Sequence, residues 1–171
     1  MPIEDTGTQI AYRRHRMDDM KFADQEIEIR KMAVSDSAAV AELDRICFTT
    51  PWSKESFEYE AHINPLAYYL VAEAGDGSIV GYMGIWHILD EGHITNVAVH
   101  PNLRGRGLGC KLISEIIACS DVVGMKRYTL EVRVSNEAAL HTYRKFGFIE
   151  AGLRTNYYED DGEDAVIMWR E

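Results

Sequence analysis

Residues 93–117 constrain the fold more than any other part of this chain. The strand pattern "HITNVAV" runs into "HPNLRGRGLG", and that runs at once into a helical pattern with Leu108, Leu112, Ile113, Ile116 and Ile117 on one side. Three glycines and two arginines occupy five of the six positions 104–109. Glycine gives up more conformational freedom on folding than any other residue, so its clustering marks a backbone that turns to positive φ or is closely approached. The free N–H groups of such a loop lie at a helix N-terminus, where donors and helix dipole together make an anion site. Arg104 and Arg106 add charge suited to a diphosphate. On its own the loop also reads as a tight strand–helix turn with surface arginines. It is not a Walker loop, since no Lys-Ser/Thr ending follows, and it is not GxGxxG.

The rest of the chain supplies the partners for this unit. "IEIRKM" (27–32) alternates as a strand, and Ser35, Asp36 and Ser37 are capping candidates for a helix with the apolar stripe Ala39, Val40, Leu43, Ile46 and Cys47. "TTPWS" breaks that helix and "KESFEYEA" makes a short second one. "AYYLVAE" and "IVGYMGIWHI" form a hairpin across "GDGS". "RYTLEVRV" is a strand with Tyr128, Leu130, Val132 and Val134 on one face and Thr129, Glu131 and Arg133 on the other. "SNEAALHTYRKF" is a helix stopped at Gly147. "FIEAGLRTNYY" and "AVIMWRE" close the chain as two strands around "EDDGED". The order β-α-α-β-β-β-α-β-α-β-β predicts an α+β fold, a mixed sheet with helices against both faces. Residues 1–25 are polar with a basic knot, "YRRHR" (12–16), and are expected to be an extension to a single domain over 26–171.

Composition narrows the function classes. With 171 residues and 28 acidic against 18 basic side chains, the net charge is −10, which argues against a nucleic-acid partner and is compatible with a cationic substrate. No stretch approaches the ~20 apolar residues of a membrane span, so no membrane partner is expected. Cys47, Cys110 and Cys119 form no CxxC pair and read as free thiols, which suits a cytoplasmic protein. His15, His62, His87, His93, His100 and His141 show no ligand spacing, and HExxH and GxSxG are absent, so neither a metal nor a covalent acyl-enzyme is expected.

"NVAVHPNLRGRGLG" resembles the acetyl-CoA segment of the GCN5-related N-acetyltransferases (GNAT), whose loop reads Gln/Arg-x-x-Gly-x-Gly/Ala and is matched in full from Arg104 to Gly109. "LEVRVSNEAALHTYRKFGF" resembles the next segment of that family. "NYYEDDGEDAVIM" is similar to the ribosomal-protein alanine N-acetyltransferase (RimI) group and its protein N-terminal acetyltransferase relatives. The resemblance covers about residues 27–168. It implies a mostly antiparallel central sheet of about seven strands, with acetyl-CoA as acetyl donor. It assigns the cofactor to the backbone of Val97, Ala98 and Val99, the loop Arg104, Gly105, Arg106, Gly107, Leu108, Gly109 and Cys110, and Asn136.

Acetyl transfer from a thioester to an amine needs proton removal from the amine, stabilisation of the carbonyl oxygen and protonation of the departing thiolate. The resemblance makes Glu131 the proton acceptor; as a strand-face residue alone it reads as the partner of Arg133 or another cation. It makes Tyr143 the proton donor, where helical spacing alone gives a core tyrosine beside Ala139, Leu140 and Phe146. Asn136 alone reads as a helix cap. His93 begins the strand before the loop, where some relatives place a second, water-linked base. On the acceptor side, Tyr157 and Tyr158 match paired tyrosines of the peptide groove, and Pro51 and Trp52 match the loop between the first two helices. Thr49 and Thr50 intervene after Phe48 where several relatives put an aromatic directly before Pro-Trp.

An α-amine has a pKa near 8 and a lysine near 10.4, so at pH 7 the neutral fraction of the α-amine is larger by roughly two hundredfold or more. A single glutamate base suits the first. The resemblance, with which this contrast agrees, implies acetylation of a protein N-terminus, Ala- or Ser-like, on a ribosomal or other protein, by a monomer or weak dimer using a ternary complex. Two alternatives stay open: a GNAT enzyme acting on lysine or a small amine, and an acetyl-CoA-binding sensor without turnover.

Overall fold

A computed structural model describes residues 26–171, and the expected extension 1–25, with its basic knot, lies outside the described residues. Strand β1 (Ile27–Lys31) is followed by helices α1 (Ser37–Cys47) and α2 (Lys54–His62), then strands β2 (Ala67–Ala74), β3 (Ile79–Ile88) and β4 (Glu91–Val99). The glycine loop leads into α3 (Leu108–Val122); β5 (Arg127–Arg133), α4 (Glu137–Lys145), β6 (Ile149–Arg154) and β7 (Ala165–Arg170) complete the chain. The seven strands form one sheet in the order β1-β2-β3-β4-β5-β7-β6. Every neighbouring pair is antiparallel except β4 and β5, which the α3 crossover makes parallel.

Three of the four helices start where their sequence supplies a reason, while Asp36, a capping candidate for α1, makes no cap bond and is held by Arg30 and the Ala33 N–H. Ser53 Oγ accepts from Ser56 N–H at 3.1 Å to cap α2, and Asn136 Oδ1 accepts from Ala139 N–H at 3.1 Å to cap α4. Gly107 precedes α3 with φ +84°, and Gly147 follows α4 with φ +83°, a backbone that disfavours any side chain with a Cβ.

The sheet separates two apolar layers. On one face Leu108, Leu112, Ile113 and Ile116 of α3 and Leu140 and Tyr143 of α4 pack on Leu70, Met83, Ile85, Leu130, Val132 and Met168. On the other, Val40 and Leu43 of α1 and Phe57 of α2 pack on Tyr69, Val71 and Tyr82. Helices α1 and α2 cover the β1–β4 half of this second face, so the side chains of β5 and β7 pointing that way stand clear of them.

Five expectations are corrected. Ala39 and Ile46, placed in the α1 stripe, are exposed, Ile46 by 49%, because the helix turns those sides to solvent. Val134, placed on the inner face of β5, lies past the strand's end and is exposed. The strand expected over 148–158 stops at Arg154, since Asn156 takes a left-handed φ of 51° and its N–H is held by Asp164 Oδ1 at 2.8 Å. Tyr157 and Tyr158 therefore sit in a loop. Conversely, β4 begins two residues early, at Glu91.

Candidate active site

The site begins where two strands part. Parallel pairing of β4 with β5 covers only Glu91–Arg127, Gly92–Tyr128 and His93–Thr129, after which residues 94–99 and 130–133 run on without pairing to each other. Strand β4 stays on β3 and β5 stays on β7, so a wedge opens between them. The cause lies in one bulge. Gly84 faces Asn96 while Ile85 faces Ile94, which leaves Thr95 as an extra residue and turns the rest of β4. Gly84 permits this because a Cβ there would lie 2.3 Å from the Tyr69 ring, and the Tyr69 hydroxyl lies 3.1 Å from Thr95 Oγ1.

The backbone lining the wedge is unevenly turned. His100 N–H donates to Val80 C=O on β3, so by strand alternation Val99 and Val97 turn their peptide groups the other way, into the wedge. The Ala98 carbonyl faces Gly81 on β3, so of the three expected backbone contacts Ala98 is the one directed away.

The glycine loop closes the wedge's end. Gly105 and Gly107 have φ of +73° and +84°, and a Cβ on either would meet nothing within 4 Å. The first amide of α3 bonded to a carbonyl is that of Lys111, to Gly107; among the described residues no acceptor occupies the amides of residues 105–110. An open row of donors at a helix N-terminus, free of side-chain bulk, fits a diphosphate. Leu108 anchors the row by burying its side chain, and Cys110 is half-buried in the first helical turn. Arg104 is tied back, its Nε donating to Val99 C=O at 3.1 Å, while Arg106 is exposed.

Tyr143 stands on the α3/α4 side of the wedge. It is 8% exposed and its ring packs edge-on against Phe148 at 5.8 Å. Its hydroxyl makes no hydrogen bond among the described residues, and burial pushes its pKa above the ordinary phenol value, with Tyr158 adding to the shift. This is a phenol held protonated and unengaged. Cys47 is no rival nucleophile, since burial pushes its thiol up and its Sγ lies 3.6 Å from Val99 C=O.

Glu131 points to the opposite face, between the buried Leu130 and Val132. Its partner is not Arg133, the first alternative raised above, but Arg154 of β6, 3.2 Å from Oε1. Arg133 is engaged by Asp160, Asp161 and Glu163, with its guanidinium 3.8 Å from the Tyr158 ring centroid. The "EDDGED" turn is thus a cage around Arg133. Asp160 also accepts from Thr49, which ties the α1–α2 loop to the β6–β7 loop. Burial pushes the Tyr158 phenol up to about 12, and Tyr157 packs edge-on against it at 5.2 Å. Pro51 is exposed; Trp52 packs on Phe57 at 5.6 Å, and its N–H donates to Asp44 Oδ2 at 2.7 Å. The structure therefore gathers Glu131, Tyr143, Tyr157 and Tyr158 at one end of the wedge. His93 stands apart from them, paired with Glu91 at 3.0 Å and edge-on to Trp169.

Sequence reasoning missed the groups that hold these residues. Asp44 was invisible because its partners, Tyr82 and Trp52, are distant or backbone. The Thr49–Asp160–Arg133 strap had one available signal, a run of acids directly after the paired tyrosines.

A wedge between two parallel strands, closed by open amides at a helix N-terminus and flanked by a carboxylate and a free phenol, defines an acyl-transfer fold. Residues 37–148 match the model of the acetyltransferase (GNAT) family, and the chain belongs to that family. A Bacillus subtilis (strain 168) protein is 45% identical over 141 residues, 82% of this chain and 93% of that one; its name provisionally makes it a ribosomal protein bS18-alanine N-acetyltransferase. The Mycobacterium tuberculosis N-alpha-acetyltransferase RimI is 35% identical over 156 residues, 87% of this chain and 96% of that one. The crystal structure of the ribosomal-protein-S18-alanine N-acetyltransferase from Escherichia coli superposes with a TM-score of 0.76 at 30% identity, covering 84% of this chain and 92% of that one. The chain is an N-acetyltransferase of the RimI-like kind. Among the described residues no helix is long and apolar enough to cross a membrane, and no group of three or more His, Cys, Asp or Glu side chains is placed to hold a metal ion.

Proposed function

We propose that this enzyme transfers acetyl from acetyl-CoA to the N-terminal α-amine of a protein in the cytoplasm, an Ala- or Ser-starting ribosomal protein of the bS18 kind. The transferase unit spans residues 26–171. Acetyl-CoA supplies the acetyl group as a thioester, activated toward amines. The amides of residues 105–110 hold its diphosphate, with Arg106 and the free amide of Asn136 at the rim. The amides of Val97 and Val99 run along its pantetheine arm, and one of them donates to the thioester oxygen as charge develops there. Glu131 takes the proton of the incoming amine on the oxygen that Arg154 leaves free. Tyr143 gives its hydroxyl proton to the departing sulfur.

The observation that carries this reading is the separation of the two proton-transfer groups. Glu131 lies on the face clear of α1 and α2, and the unengaged Tyr143 hydroxyl lies on the α3/α4 side, with the wedge between them. An amine and a thioester approaching from opposite faces meet only there. Support for the α-amine comes from the names of the relatives and from the absence of a second strong base beside Glu131 among the described residues.

Peptides starting with Ala, Ser, Met and Thr, and an N-terminally blocked lysine peptide, provide the test by thiol release. Turnover on the Ala and Ser peptides with none on the lysine peptide is expected. Turnover confined to lysine, or to free small amines, would overturn the assignment of the acceptor.

A further inference from the structure

On the sheet face that carries Glu131 lies an open pocket of about 530 Å³, lined by Trp52, Glu55, Ser56, Tyr59, Glu60 and Trp86. Nothing in the transfer reaction requires it. Three aromatic rings and two carboxylates surround it, and one carboxylate is in an unusual position. Glu60 is 7% exposed. Its bonds come from neutral donors only: Trp86 Nε1 at 2.6 Å and Asn64 Nδ2 at 3.2 and 3.3 Å. Among the described residues no cation pairs with it; the nearest lysine in the helix, Lys54, pairs with Glu58. A buried carboxylate is costly unless a positive charge or a full set of donors compensates it. Aromatic walls beside such a group attract a cation through their ring faces as well.

The pocket opens on the same face of the sheet as Glu131. Trp86 lies opposite His93, and His93 opposite Thr129, with Glu131 two residues further along the same face of β5. Two strand spacings of ~4.8 Å and two residues of rise put Trp86 about 12 Å from Glu131. An extended peptide advances ~3.3 Å per residue, so with its α-amine at Glu131 its third and fourth residues lie about 7 and 10 Å along, within one arginine or lysine side chain of Trp86.

The geometry points to a specificity site: the cavity takes the arginine or lysine side chain of an acceptor peptide two or three residues after its N-terminus, with Glu60 as counter-charge and Trp52, Tyr59 and Trp86 as walls. This rests on the peptide-acceptor reading above and adds a downstream residue to it. The chain's net charge of −10 agrees with a basic acceptor.

Tryptophan fluorescence titrations test it without the acetyl donor. The probes are hexapeptides with a common first residue and either arginine or citrulline, its neutral isostere, at positions 3 and 4. The arginine peptide is expected to bind about tenfold more tightly. Glu60→Gln, which keeps an acceptor for Trp86 and Asn64, should bring that ratio close to one. Glu55→Gln, at the exposed rim, should lower it about threefold. Equal affinities for the two peptides in the unmodified enzyme, a comparison that depends on no variant folding, would overturn the inference. So would a ratio that survives Glu60→Gln. Preferential binding of the arginine peptide without acetylation of its α-amine would leave the cation site standing and overturn the acceptor assignment. Acetylation of both peptides with equal affinity would do the reverse.

Discussion

In the proposed reaction Glu131 and Tyr143 divide the proton traffic, and their environments differ as that division requires. The carboxylate is half-exposed and shares one oxygen with Arg154; the phenol is buried, unbonded and raised above its ordinary pKa by desolvation. Glu131→Gln should lower kcat by roughly a hundredfold or more while leaving the dissociation constant of acetyl-CoA within about twofold, as calorimetry can measure. Because burial raises the folded-state pKa of Tyr143, its proton is retained as pH rises through the ordinary phenol value. The kcat profile should therefore show no descending limb up to about pH 10, and a limb near neutrality would remove Tyr143 as the acid. Asp44 serves the site indirectly, holding the Tyr82 hydroxyl and the Trp52 amide from a position that is 1% exposed. Asp44→Ala should cost about 1–3 kcal/mol of unfolding free energy by leaving those donors unmet. Burial raises the Asp44 pKa from its usual 3.8, so the native state holds this proton where the unfolded chain does not. Its contribution is full below pH 3.8 and declines as pH rises through the shifted value, which chemical denaturation at several pH values will detect. The family resemblance made Glu131 and Tyr143 candidates, whereas as residues alone they read as an ion-pair partner and a core tyrosine. Asp44 and Arg154 were not singled out at all, since their partners come from other elements.

The glycine loop and the strap between the acceptor loops set the two ends of the site. Gly107 has φ +84° and opens on empty space, so a β-branched side chain there both strains the backbone and fills the region above the amides. Gly107→Val should raise the KM for acetyl-CoA at least about tenfold, the scale of one or two lost bonds to a charged group. Arg133 holds Asp160, Asp161 and Glu163, and Asp160 reaches Thr49 on the opposite loop. The bond from Arg133 pulls Asp160 down to about 2, so the strap stays charged across the working pH range. Arg133→Ala should loosen the Tyr157–Tyr158 loop and raise the peptide KM by roughly threefold to tenfold, with a much smaller change for acetyl-CoA. Most elements were legible in the sequence, because the apolar runs of β2 and β3 on either side of a tight turn, the two-faced β5 and the 3.6 periodicity of α3 are strong patterns. The end of β6 was not, since a left-handed asparagine carries no apolar signal. Nor was the wedge itself. It depends on an extra residue at Thr95, which only the pairing of β3 with β4 reveals.

At the scale of the molecule, two apolar layers hold a sheet that is whole at both sides and split in the middle. The order of elements foreshadowed the layers, but periodicity does not contain the split. The cavity behind Trp86 was hidden for a simple reason. Its walls come from the α1–α2 loop, α2 and β3, which no motif joins. The account as a whole depends on acetyl-CoA lying in the wedge with its diphosphate on the loop amides. A crystal structure of the enzyme soaked with acetyl-CoA tests this directly. The account predicts diphosphate oxygens within hydrogen-bond distance of amides in residues 105–110 and the acetyl group between Glu131 and the Tyr143 hydroxyl. A nucleotide bound elsewhere, with the loop amides facing only solvent, would contradict it.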